Sequence, residues 1–253
     1  MSSPQFSETE STEASSPQHP ETESVVGASS PQHPRTASAY RLAELLGDVP
    51  HPDDFGPEAY ELVERTRDLV AAVAANDADR ATRAEIATEL ARITERLRVH
   101  QRHPHIVVAR DRDGTIYNLT QAGSGRLNPQ APRLVFDPVP LRPPGSGPHS
   151  VEMRATVTLT EAHSGPPHRA HGGVVASILD EALGTAATRA GATGLTAGIN
   201  IRYKAGTPLH TPLEVTARYS HTEGRKHIAT GELRAGETIC ATAEAIFIAE
   251  PAV

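Results

Sequence analysis

The chain has 253 residues, 38% of them hydrophobic, with 24 Lys and Arg against 31 Asp and Glu for a formal charge of -7. That apolar share is low for a fully packed chain of this length, so part of it is expected to stay outside any core. Lysine occurs only at Lys204 and Lys226, and the acidic balance argues against nucleic acid as a partner, because phosphate binding draws on clustered Lys and Arg.

A single cysteine, Cys240, excludes an intrachain disulfide and reads as a small buried residue within the strand-like ETICATAEAIF. The start, MSSPQFSETE, has neither the basic opening nor the apolar segment of a secretory signal, and no later stretch is long and uncharged enough to cross a bilayer. The expectation is a cytoplasmic protein that does not engage membranes.

Residues 1–38 hold three imperfect copies of one decapeptide, SSPQFSETES from Ser2, SSPQHPETES from Ser15 and SSPQHPRTAS from Ser29. Such Ser, Pro, Gln and Glu content buries too little apolar surface to offset the entropy of ordering, and a disordered tail is expected. Residues 39–105 read as a helical extension. YRLAELL from Tyr40 is short; a longer helix begins near Pro57 with Leu62, Leu69, Val70 and Val73 on one face; and Ile86, Leu90, Ile93 and Leu97 recur at spacings of four, three and four on the next. Joined through NDAD, the last two predict an αα-hairpin that lies against the following domain or a partner chain. His100, His103 and His105 follow it, but Pro104 interrupts their spacing and nothing completes a metal set. Residues 106–131 read as a linker in which IVVARDRDGTIYNL predicts a hairpin with an Asp-Gly turn.

From residue 132 to 250 the pattern is strands around one helix. RLVF comes first. In VEMRATVTL, Val151, Met153, Ala155, Val157 and Leu159 share one face of a half-exposed antiparallel strand. TAGINIRYK, LEVTARYSH, KHIATGELR and TICATAEAIFIA follow after the apolar run VVASILDEALGTAA. The order is strand, strand, long helix, four strands. This is an α+β pattern in which a curved antiparallel sheet wraps around a helix that is apolar all round.

That helix carries an acid. Asp180 stands nine residues after His171, in a run expected to be buried on every side, where an unpaired charge costs several kcal/mol. At the helix start, the amides of Gly172 and Gly173 lack intrahelical acceptors and form a candidate oxyanion site. They lie about seven residues, roughly 11 Å, from Asp180 along the axis. One carbonyl cannot reach both, so joint action requires two chains with antiparallel helices about a twofold axis. Glu181 points about 100° away around the helix and serves a different direction. On these grounds a catalytic Asp180 and a structural one remain equally open.

SGPPHRAHGGVVASILDEALG, GLTAGINIRYKAGTPLHTPLEVTARY and GRKHIATGELR together resemble the hotdog-fold acyl-CoA thioesterases of the PaaI type. The resemblance covers roughly residues 130–250. It implies a sheet wrapped around one helix, dimers or dimers of dimers with sites at the interface, an acyl-CoA or acyl-carrier-protein thioester as substrate, and no cofactor. It also implies that Asp180 is general base or nucleophile, that the Gly172 amide polarises the thioester carbonyl beside Gly173, that His171 lines the site, and that Thr196 positions the acid or water. Arg225 and Lys226 match basic residues near coenzyme A phosphates. One departure is Gly165, where many small members carry Asn or Gln six positions before the His.

Rival chemistries have less support. His163, His168 and His171 are broken by Pro166 and Pro167 and lack the H-E-x-x-H pattern of zinc hydrolases, and no G-x-S-x-G elbow occurs. Hotdog hydratases of enoyl thioesters carry a His five residues after the Asp, where this chain has Thr185. A non-catalytic acyl-thioester-binding or scaffold protein is the remaining alternative.

Overall fold

The computed structural model of the chain describes residues 47–112, 114–137 and 151–249. The repeat tail, the helix expected at YRLAELL and the Pro/Gly-rich stretch after residue 137 lie outside them. Among the described residues, no helix is long and apolar enough to cross a membrane.

Two long helices come first, α1 (Gly56–Ala75) and α2 (Arg80–Arg98). α2 starts where Asp79 accepts from the amides of Ala81 and Thr82 at 2.8 and 2.9 Å, a side-chain cap that satisfies two orphan donors. Within this chain the following domain does not cover the two expected apolar stripes. α2 buries none of its residues, and Ile86, Ile93 and Leu97 are 40%, 48% and 49% exposed. On α1 the stripe Leu62, Leu69, Val70 and Val73 also faces out. The inward face is instead Tyr60, Val63 and Arg67, fixed mainly by polar contacts. Arg67 donates to the Asn128 carbonyl at 2.9 Å and to Glu64 at 2.6 Å, and the Arg126 guanidinium lies 4.6 Å from the Tyr60 ring centre. The physical reason for the difference is that an apolar stripe demands a covering surface without specifying which one.

A two-stranded hairpin follows, β1 (Val108–Arg110) with β2 (Ile116–Asn118), packing Val107, Ala109 and Leu119 into a small core with Phe55, Tyr117 and Leu127. The main sheet has six antiparallel strands: β3 (Val135–Phe136), β4 (Glu152–Thr158), β5 (Leu195–Tyr203), β6 (Pro212–Glu223), β7 (Lys226–Ala235) and β8 (Thr238–Ile248), in the spatial order β3-β4-β6-β7-β8-β5. Between β4 and β5 runs α3 (Gly172–Arg189).

The alternation read from the sequence fixes the sheet's inner face. Met153, Ala155 and Val157 of β4, Leu213, Val215 and Ala217 of β6, and Ala241, Ala243, Ala245 and Phe247 of β8 are buried against Val175, Ile178, Leu179, Ala182, Leu183, Ala186 and Ala187 of α3. Alanines on both surfaces let helix and sheet approach closely, while each buried Leu or Ile contributes about 1.5–3 kcal/mol by leaving water. Cys240 is wholly buried.

One expectation needs correction. α3 is not covered on all sides: Gly173 and Ser177 are exposed, and Asp180, Glu181, Gly184 and Thr188 are half-buried. At 100° per residue these positions form one continuous flank opposite the sheet. Their small or polar side chains gain little from burial in the core.

Candidate active site

Asp180 therefore stands at the rim of the core rather than inside it. Thr196 Oγ1 donates to Asp180 Oδ1 at 2.9 Å, and Oδ2 has no hydrogen-bond partner among the described residues. Strict alternation along β5 would turn Thr196 away from α3, because Ile199, Ile201 and Tyr203 already occupy the inner face. A register shift against β8 between Thr196 and Gly198 inserts one extra residue, so that Thr196 pairs with the inward Phe247. Such a bulge re-aims a side chain without ending the strand.

The helix start is built by the loop before it. His171 is the N-cap, and its Nδ1 accepts from the Gly173 amide at 3.0 Å, leaving Nε2–H as the ring's donor. Of the two amides the sequence offers, Gly173 is thus engaged. The Gly172 amide has no acceptor among the described residues, and it sits where the helix dipole favours negative charge. Tyr203, at the far end of β5, donates to the Gly172 carbonyl at 2.8 Å. Strand β5 thereby touches α3 at two points, Asp180 and Gly172.

Arg225 and Lys226 are exposed in the β6–β7 turn. The Arg225 guanidinium donates to the Ala249 carbonyl at 3.1 Å. Lys226 pairs with Ile248, which on its other side pairs with Leu195, so the basic turn and Thr196 share one end of the sheet, two strand spacings or about 10 Å apart. His163, His168 and His171 serve separate local tasks: His163 Nδ1 accepts from the Thr160 amide, His168 is exposed with φ of 61°, and His171 caps α3. No cluster of three or more His, Cys, Asp or Glu residues converges among the described residues.

The thioesterase superfamily profile matches residues 168–242, which span Asp180, Thr196, the start of α3 and the basic turn. The crystal structure of a thioesterase superfamily protein is 30% identical, with a TM-score of 0.64 over 79% of this chain and 97% of that one. This chain belongs to the thioesterase superfamily. Its helix-wrapped sheet is the hotdog fold of that superfamily. The acyl-coenzyme A thioesterase THEM4 of Mus musculus is 35% identical over 105 residues, 40% of this chain and 45% of that protein; the chain spans less than half the length of this curated relative. A thioesterase superfamily protein from Shewanella loihica PV-4 is 26% identical over 43% of this chain and 96% of its own, with a TM-score of 0.35.

Within this superfamily frame the Gly165 departure has a steric cause. A Cβ at Gly165 would stand 2.7 Å from the His171 Cα and 3.0 Å from its nitrogen. The Ser164–Ala170 bridge folds the loop back onto the N-cap, so Asn or Gln could enter only by displacing the helix start.

Two residues escaped the sequence reading. Tyr203 is not singled out there. Glu181 reads as pointing elsewhere, and its partners lie far away in sequence: Gln121 Nε2 donates to Oε2 at 2.7 Å and Ser124 Oγ to Oε1 at 2.5 Å. Burial pushes the Glu181 carboxyl above the usual carboxylate range, the neighbouring Asp180 charge adds to this, and the two hydrogen bonds oppose it. A native pKa raised above the unfolded value, ordinarily 4.5, means that the wild type loses stability as pH rises from that value through the native pKa. Glu181→Gln has no such titration. Its melting temperature relative to wild type should climb as pH is raised from about 4.5 and then level off; a difference that stays constant with pH would contradict the assignment.

Proposed function

We propose that this protein is a thioester hydrolase that cleaves acyl-CoA or an acyl-carrier-protein thioester to a free acid and a thiol. The observation that carries the reading is the hydrogen bond from Thr196 to one oxygen of Asp180, which leaves the other oxygen open on the uncovered flank of α3. A carboxylate so held takes a proton from an attacking water, or attacks the carbonyl carbon itself to form an acyl anhydride on Asp180 that water then hydrolyses to the free acid. In either case the C–S bond breaks and the thiol leaves. The Gly172 N–H supplies the oxyanion donor, the His171 ring lines the site, Gly173 allows close approach, and Arg225 and Lys226 meet the coenzyme phosphates.

The working unit is a dimer, alone or within a dimer of dimers. Asp180 and Gly172 sit on one helix, too far apart for a single carbonyl. β5 is a nine-residue outer strand whose residues are exposed or half-exposed, and long bare edges of this kind are normally paired. Pairing β5 with its symmetry mate extends the sheet and lays two α3 helices antiparallel, so that the amide of one chain meets the acid of the other.

The direct test follows free thiol released from a panel of acyl-CoA and acyl-carrier-protein thioesters by wild type and Asp180→Asn. Release by wild type that the substitution suppresses supports the reading. No release from any thioester, or equal release by both, overturns it.

A further inference from the structure

We infer that the turn Gln121–Gly125, clamped onto α3 by Glu181, is a stop wall of the acyl-binding trough and limits the length of acyl chain accepted. Glu181 is its positioning residue. The inference rests on the thioesterase reading above, and it concerns a segment outside the residues 168–242 that carry the superfamily match.

The geometry begins with two consecutive carboxylates. Asp180 and Glu181 emerge about 100° apart around α3, and Ser177 and Gly184 fall between them at roughly 60° and 40° from Asp180. The strip between the acids is therefore floored by small residues. On the Asp180 side β5 reaches the helix through Thr196. On the Glu181 side the turn reaches it through Gln121 and Ser124, with one donor to each carboxylate oxygen. The strip is thereby flanked by β5 on one side and by the turn on the other, and the reacting carbonyl belongs on the Asp180 side.

The opposite wall is seated without a gap. A Cβ at Gly123 would stand 2.5 Å from Glu181 Oε2, 3.0 Å from its Cδ and 3.1 Å from its Cβ, so an alkyl chain crossing the strip meets the turn and cannot pass beneath it. The turn is also braced from behind. Gly125 N–H donates to the Gln121 carbonyl at 2.9 Å, Leu127 N–H to the Leu119 carbonyl at 2.7 Å, and Arg67 of α1 donates to the Asn128 carbonyl at 2.9 Å. Through this chain of contacts the helical extension holds a pocket wall.

The experiment compares kcat/KM for acetyl-, butyryl-, octanoyl- and palmitoyl-CoA in wild type, Glu181→Ala, Glu181→Gln and Gly123→Ala, with Asp180→Asn as reference. Glu181→Ala removes the clamp and Gly123→Ala wedges the turn off the helix. Both should raise the octanoyl-to-acetyl ratio by roughly 10-fold or more, the discrimination that one misplaced methylene commands in an apolar pocket, with the change carried mainly by KM. Glu181→Gln keeps an acceptor oxygen and should return the ratio toward wild type. If Glu181→Ala fails to fold, Gly123→Ala, which keeps the acid, decides the matter. An unmoved ratio in the folded variants, alongside hydrolysis that Asp180→Asn abolishes, overturns the wall and leaves the thioesterase reading standing. No hydrolysis by wild type overturns both.

Discussion

Asp180→Asn is expected to lower the rate of thioester hydrolysis by about 10²–10⁴, the range a positioned general base supplies, while leaving the melting temperature almost unchanged. The amide has the volume of the acid and keeps an oxygen to accept from Thr196 Oγ1. It lacks only the open oxygen's capacity to take a proton or form a bond. If the acid's task were to tie α3 to β5, the Asn oxygen would perform it equally well and hydrolysis would continue. Thiol release at saturating acyl-CoA, measured beside a thermal melt, separates these outcomes.

Gly172→Pro is expected to reduce kcat by about 10²–10³, the cost of deleting one oxyanion donor. The substitution suits the position. Gly172 is the first residue of α3, where proline is favoured and no intrahelical hydrogen bond is lost. The helix should persist while the one unengaged amide disappears. Gly172→Ala keeps that amide, and its Cβ would meet the Tyr203 hydroxyl at 3.3 Å, a contact that a small shift of an exposed side chain relieves. Its kcat should fall far less than that of the proline variant. Equal losses in the two would place the effect in sterics and not in the donor.

The strands and the long helix were legible because their periodicities survive in the sequence: alternating Met153, Ala155 and Val157, and the α3 face from Val175 to Ala187, predict the surfaces that the fold buries. Asp180 stood out through its misfit with that face. Thr196 was named through the family resemblance and not through periodicity, since strict alternation from Ile199 turns it outward, and only Gly198 marks the place where the register shifts. The Glu181 clamp left no periodic trace because its partners lie 60 and 57 residues earlier. The stripes on α1 and α2 were visible, but an apolar face carries no address for its cover.

The shared site is tested most directly by subunit complementation. Asp180→Asn and Gly172→Pro chains are purified separately, mixed in equal amounts and allowed to exchange subunits. Random pairing makes about half the dimers mixed, and each mixed dimer then holds one site with the acid of one chain and the amide of the other intact, so about a quarter of wild-type activity returns. A mixture no more active than the mean of the two variants would contradict a site built from two chains.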